Sequence, residues 1–153
     1  MLALMCCGED LAKVLRAFHS FIGKEVINPE DFLLGDRNYY LFLKDDRPEV
    51  GKFITFAQKG YKKCFEEVDV TGTVLGFQSE DFLEKAVCKF NETDSNHYID
   101  NYSVEQVYTT SGPVYLPLFE DEGLFGVFSR FMRERLSFEE DGLVEGEEVI
   151  FKS

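Results

Sequence analysis

Tryptophan is absent from this chain, histidine occurs only twice, and acids outnumber bases by 29 to 16. Each shortage removes a class of function. With two histidines, a metal centre or general base built on imidazole has to use His19 or His97. His19 borders the apolar face of a predicted helix and reads as a residue at the edge of the core, whereas His97 lies in a polar stretch and reads as solvated. No H-E-x-x-H or paired C-x-x-C is present, no Gly-rich phosphate loop precedes a helix, and no G-x-S-x-G elbow occurs. Nothing in these motifs calls for a cofactor or a metal. Long apolar runs are also missing, since none approaches the ~18 residues that a membrane-spanning helix needs. Met1 to Cys7 is short, has no base before it and is followed by Glu9-Asp10, which makes a poor secretion signal.

The four cysteines form no evenly spaced framework: Cys6 and Cys7 are adjacent, and Cys64 and Cys88 sit singly in apolar patterns. Cytoplasmic localisation is the expectation. Neither Cys64 nor Cys88 has a neighbouring histidine or helix start to activate it, so both read as structural thiols. Two triplets, Asn91-Glu92-Thr93 and Asn101-Tyr102-Ser103, match a glycosylation acceptor and gain meaning only with secretion.

What the chain does have is a net charge of −13 over 153 residues, with 16 Phe and 7 Tyr beneath it. This length fits one domain able to bury roughly 70% of its unfolded surface, and the aromatic content predicts a Phe-dominated core. Strong acidity repels phosphate backbones and anionic lipid surfaces. Nucleic acid and membranes are therefore excluded as expected partners, a basic protein is favoured, and the oligomeric state stays open.

Apolar spacing predicts three amphipathic helices. The first runs from Glu9 to Ile22 on Leu11, Val14, Leu15 and Phe18, and Gly23 stops it. The second runs from Ser79 to Phe90 with Ser79 as its cap, and the third from Glu120 to Leu136, opened by acids and closed by arginines. Asn28-Pro29 predicts a short turn of helix before Gly35. Strands are expected at Asn38 to Lys44, Gly51 to Ala57, Lys63 to Val70, Thr73 to Phe77, Ser103 to Thr110, Val114 to Phe119 and Val149 to Phe151. The fold class is α+β: a single acidic domain, a largely antiparallel sheet packed with three amphipathic helices, no internal repeat, and residues 1–8 and 137–148 flexible.

Two carboxylates held close together can act as acid and base or hold a metal. Glu67 and Asp69 share one face of a predicted strand while Glu66 faces the other way, and no lysine follows at nuclease spacing, so a solvated face is the plainer reading. Two stretches fit a binding surface better. Residues 139–148 carry Glu139, Glu140, Asp141, Glu145, Glu147 and Glu148 with no base, interrupted by Leu143 and Val144. The loop from Asn91 to Tyr102 alternates Tyr98, Asp100 and Tyr102, and tyrosine is favoured at contact surfaces. Against these, the stretch from Lys44 to Lys63 holds six bases and three acids, so charge is polarised along the chain. The sequence therefore favours a small module that binds a basic protein, as an inhibitor or immunity-type antidote. A secretion-chaperone-like module and a small carboxylate-dependent hydrolase or nuclease are the alternatives.

Overall fold

The computed structural model describes residues 1–152. Its element order is β1 (Leu2–Cys7), α1 (Gly8–Ile22), β2 (Leu33–Gly35), β3 (Asn38–Phe42), α2 (Pro48–Gly60), β4 (Glu66–Phe77), α3 (Glu80–Thr93), β5 (Ser103–Thr109), β6 (Gly112–Leu118), α4 (Glu122–Arg135) and β7 (Leu143–Phe151). Seven strands pair antiparallel and four helices accompany them, so the class is α+β. Contacts gather into two compact units: Met1–Gly72 with the stretch from Glu147 onward, and Thr73–Gly146. Strands β4 and β7 each contribute residues to both.

Three of the helices form where the apolar spacing predicts them. Gly23 ends α1 in the left-handed region at φ 80°, its N–H bonded to His19 O at 2.8 Å, as glycine does at little steric cost. Ser79 caps α3, its hydroxyl accepting from Phe82 N at 3.3 Å. The cap of α4 is Asp121, which accepts from Gly123 N at 3.0 Å. The helix count, however, is four. The stretch expected as a strand at Gly51 to Ala57 lies inside α2, where Val50, Phe53, Ile54 and Ala57 make a buried helical stripe. Pro48, which suggests a turn between strands, occupies the first helical turn, where its missing N–H costs nothing.

Three further expectations change. Residues 2–7 form β1, bonded on one side to β3 (Ala3 opposite Phe42) and on the other to β4 (Ala3 opposite Val68). The strands expected at Lys63 to Val70 and Thr73 to Phe77 are one twelve-residue strand, β4. Only Pro29–Asp31 is helical after Asn28, as one 3-10 turn in which Asp31 accepts from Asn28 N at 2.8 Å.

The expectation of no repeat is also overturned. Each unit runs β-α-β-β-α-β, with β4 closing the first copy and opening the second. Adding 72 to the buried α1 residues Leu11, Val14, Leu15 and Phe18 gives Leu83, Ala86, Val87 and Phe90, the buried residues of α3. The same shift takes the buried Ile27 to the buried Ile99. Adding 75 takes Tyr40-Leu41 of β3 to Tyr115-Leu116 of β6, and Gly51, Phe53 and Phe56 of α2 to Gly126, Phe128 and Phe131 of α4. Register agrees, because Met5 faces Tyr40 in the first ladder and their counterparts Phe77 and Tyr115 face each other in the second. The change from 72 to 75 falls at the hairpin, where β2 has three residues and β5 has seven.

Each copy holds its own Phe core. In the first, Phe18 packs edge-on to Phe53 at 5.3 Å and 67°, and also meets Phe56 at 5.3 Å. In the second, Phe90 packs edge-on to Phe128 at 5.6 Å and 67°, and meets Phe131 at 5.3 Å. Edge-to-face pairs of this kind add about 0.5–1.5 kcal/mol beyond the area they bury.

Candidate functional site

The expected binding residues fall mostly in the second unit. That unit carries 15 acids and 5 bases, a net of −10, whereas the first carries 14 acids and 11 bases, a net of −3. Glu139 and Glu140 are exposed on the turn that leaves α4, and Glu145 is exposed on β7. The turn is held by its own polar groups: Asp141 accepts from Ser137 N at 2.8 Å and Ser137 Oγ accepts from Glu140 N at 3.2 Å. Gly142 then takes φ 66°, and a Cβ there would run into the ring of Phe82, so only glycine fits this exit.

Asp141 differs from its neighbours in the run. Besides accepting from Ser137, its carboxylate pairs with Lys89 at 3.5 Å, which ties the turn to α3. These two contacts hold the turn on which Glu139 and Glu140 are exposed. Glu147 and Glu148 belong to the first unit. The run that is continuous in sequence is thus divided between the units.

The tyrosine loop is also sorted by the fold. Helix α3 extends to Thr93, which shortens the loop. Asp94 accepts from the backbone of Asn96 and His97, each at 2.9 Å, and these bonds, the first above all, hold its carboxyl below the usual carboxylate range. Asn91 clasps the backbone of Ile99, donating to its O at 2.9 Å and accepting from its N at 2.7 Å. Ile99 is buried, so Tyr98 and Asp100 on either side of it point outward, and Tyr98 is 71% exposed. Tyr102 turns in against Phe119, with ring centroids 6.4 Å apart. Its hydroxyl is pushed to a higher pKa by burial first, and then by the charges of Glu84, Cys88 and Glu80. Phe138, one residue before Glu139, is an exposed aromatic that is not among the candidates from the sequence; its place next to the acidic run is the signal that could have found it.

The carboxylates of β4 do not gather. Glu67 pairs with Lys152 at 3.8 Å, Asp69 accepts from the Met1 amino group at 2.6 Å, and among the described residues no three His, Cys, Asp or Glu side chains converge as a metal site. Burial leads the causes that push the Cys6 thiol up to about 12, with Cys7, Asp10 and Cys64 adding to it. Cys7 and Cys88 are exposed.

A second surface, outside the stretches that the sequence singles out, lies in the first unit. Helices α1 and α2 border an open groove of about 650 Å³. Phe18, Phe21, Ile22 and Phe56 give it apolar walls, and Lys52 and Lys59 are its only ionisable lining residues. Phe21 stacks loosely on Phe56, with centroids 5.5 Å apart, and is 75% exposed. The groove exists because residues 48–60 are helical, which sets Lys52, Phe56 and Lys59 along one side; the strand expected there hides it.

No protein-family profile, curated protein or solved structure matches the chain. No helix among the described residues is long and apolar enough to cross a membrane.

Proposed function

We propose that this protein is a binding module that covers a basic protein partner with the acidic surface of its second unit, in the manner of an inhibitor or immunity-type antidote. One observation carries the reading: ten of the chain's thirteen excess negative charges lie in the second unit. Opposed potentials speed encounter and select the partner, while a desolvated aromatic supplies holding energy. Glu139, Glu140 and Glu145 act as the steering charges, and the exposed Tyr98 and Phe138 as the apolar anchors. Nucleic acid and anionic membranes are disfavoured by the same charge. A cytoplasmic setting suits a protein whose four cysteines are free thiols.

The test uses the partner recovered by affinity capture on the full chain. Glu139→Gln, Glu140→Gln and Glu145→Gln together slow association and flatten its salt dependence, with dissociation little changed. Tyr98→Ala instead speeds dissociation, by an amount worth ~1–3 kcal/mol for a hot-spot aromatic. Unaltered rates in both variants would confine these residues to solubility.

A further inference from the structure

The groove between α1 and α2 poses a question that the acidic surface does not answer. A chain with a net charge of −13 presents, on its less acidic unit, an apolar trough whose charged lining is two lysines. The fold does not require it. The second copy builds the same helix pair on the same Phe contacts and changes the groove positions: Phe21 corresponds to Thr93, Ile22 to Asp94, Lys52 to Val127 and Lys59 to Glu134. A helix pair on this scaffold therefore tolerates polar residues where the first copy exposes Phe21.

Two kinds of occupant suit an apolar trough with a cationic side, an anionic acyl amphiphile and an acidic amphipathic helix. Its volume lies within the roughly 300–1,000 Å³ of ordinary ligand sites and does not choose between them. The lysines do. Lys52 and Lys59 are seven residues apart on α2, two turns of helix and about 10.5 Å along its axis. A single anionic head group meets both only by drawing the two side chains together over the apolar surface, which an occupant with two separate acids does not require. Acids seven residues apart on a docked helix repeat the same spacing and meet both. Neither lysine is engaged within the protein in an ion pair among the described residues. Thr55 between them donates its hydroxyl to Gly51 O at 3.0 Å, so the trough offers the occupant cations and apolar surface and little else.

We propose that this groove receives an acidic amphipathic helix of a partner protein, its apolar residues at i, i+3 or i+4 and i+7 seated against Phe18, Phe21 and Phe56, and acids two turns apart facing Lys52 and Lys59. The partner chemistry is thus the opposite of that sought by the second unit. One chain carries two recognition surfaces of opposite sign, each in its own unit.

The test is a display selection of ~14-residue helical peptides, about four turns, on the intact full-length protein, followed by fluorescence anisotropy of labelled selected peptides. Enriched sequences are expected to pair an apolar i, i+3/i+4, i+7 stripe with acids seven residues apart. Phe21→Ser, at a position exposed enough to leave the thermal midpoint unchanged, weakens their binding by roughly tenfold or more. Lys52→Glu with Lys59→Glu does the same, and a peptide with lysines in place of its acids recovers affinity for that double variant. Four results would overturn the proposal. They are no enrichment, enrichment indifferent to Phe21→Ser, saturable binding of dodecanoate in the groove with no peptide selected, and a sedimentation coefficient that rises with concentration for the parent but not for Phe21→Ser. The third would make the groove an acyl site, and the fourth an interface between copies of this chain.

Discussion

The two units repeat one order of elements and one arrangement of phenylalanines, yet the first carries 14 acids against 11 bases and the second 15 against 5. Where they agree, the residues are interior: Phe18 with Phe53 answers Phe90 with Phe128, and Ile27 answers Ile99. Where they differ, the residues face water: Phe21 answers Thr93, and Lys59 answers Glu134. Close packing fixes the first kind of position, because a core side chain must match the volume around it, while an exposed substitution usually changes stability by under about 0.5 kcal/mol. The contrast separates what the βαββαβ unit needs to fold from what each copy presents. The proposed steering of a basic partner belongs to one presentation and the lysine-flanked groove to the other.

The sharpest way to break the equivalence is to remove its paired centres. Phe53→Ala and Phe128→Ala each truncate a ring that is completely buried. Each is expected to cost ~3–5 kcal/mol through lost transfer energy and the cavity left behind. By contrast Phe21→Ala and Thr93→Ala, at the divergent pair, stay within about 0.5 kcal/mol. Chemical denaturation midpoints decide it, and a loss under ~1 kcal/mol at one member of the Phe53 and Phe128 pair would show that the copies do not bear load alike.

Some of this was legible in the sequence, and the reasons differ by element. Helices α1, α3 and α4 keep a one-sided apolar stripe over at least three turns, which no strand can mimic. Helix α2 breaks that rule in appearance, since Phe53-Ile54-Thr55-Phe56 reads as strand by residue preference, and tertiary burial of Phe53, Ile54 and Ala57 outweighs it. Strand β1 shows no alternation because Ala3, Leu4, Met5 and Cys6 are all buried. The repeat hides for another reason: its identities are mostly isolated single residues, such as Phe18 with Phe90 and Phe53 with Phe128, and a spacing that changes from 72 to 75 defeats any search at a fixed period. At the candidate site, exposure of Glu139 and Glu140 follows from composition alone. The pairing of Asp141 with Lys89 and the inward turn of Tyr102 depend on contacts that only the folded chain makes.

Cysteine chemistry separates the units by a smaller margin. Burial pushes the Cys6 thiol up to about 12, whereas Cys88 stands exposed on α3. Cys6 is thus both covered and held as the neutral thiol at pH 8, so it is expected to alkylate with iodoacetamide about a hundredfold or more slowly than the exposed Cys88 in the native protein. Peptide mapping of a time course reads this directly, and equal rates would place Cys6 at the surface. The sign of the linkage follows. With its folded pKa raised, the neutral Cys6 thiol contributes stability that is fully present below the unfolded value of about 8.5 and is lost as pH climbs toward 12. A Cys6→Ala variant, with nothing to titrate there, shows a shallower alkaline fall in its unfolding midpoint.

The finest comparison is between the helix caps. Cys7 and Ser79 occupy the same place in the two copies, both extended, with ψ of 164° and 163°. Only Ser79 has a hydroxyl to accept from the amide three residues on; Cys7 makes no side-chain cap bond. A missing cap leaves one more donor of the first turn to water, and a good one is worth about 1 kcal/mol. Ser79→Ala should therefore lower stability by ~1 kcal/mol, while Cys7→Ser should raise it by ~0.5–1 kcal/mol by giving the Asp10 amide an acceptor. For a chain of this size each change moves the melting temperature by about 2–4 °C, in opposite directions. If Cys7→Ser gives no gain while Ser79→Ala gives its full loss, the two helix starts differ in backbone geometry, and the correspondence between the copies ends at their cores.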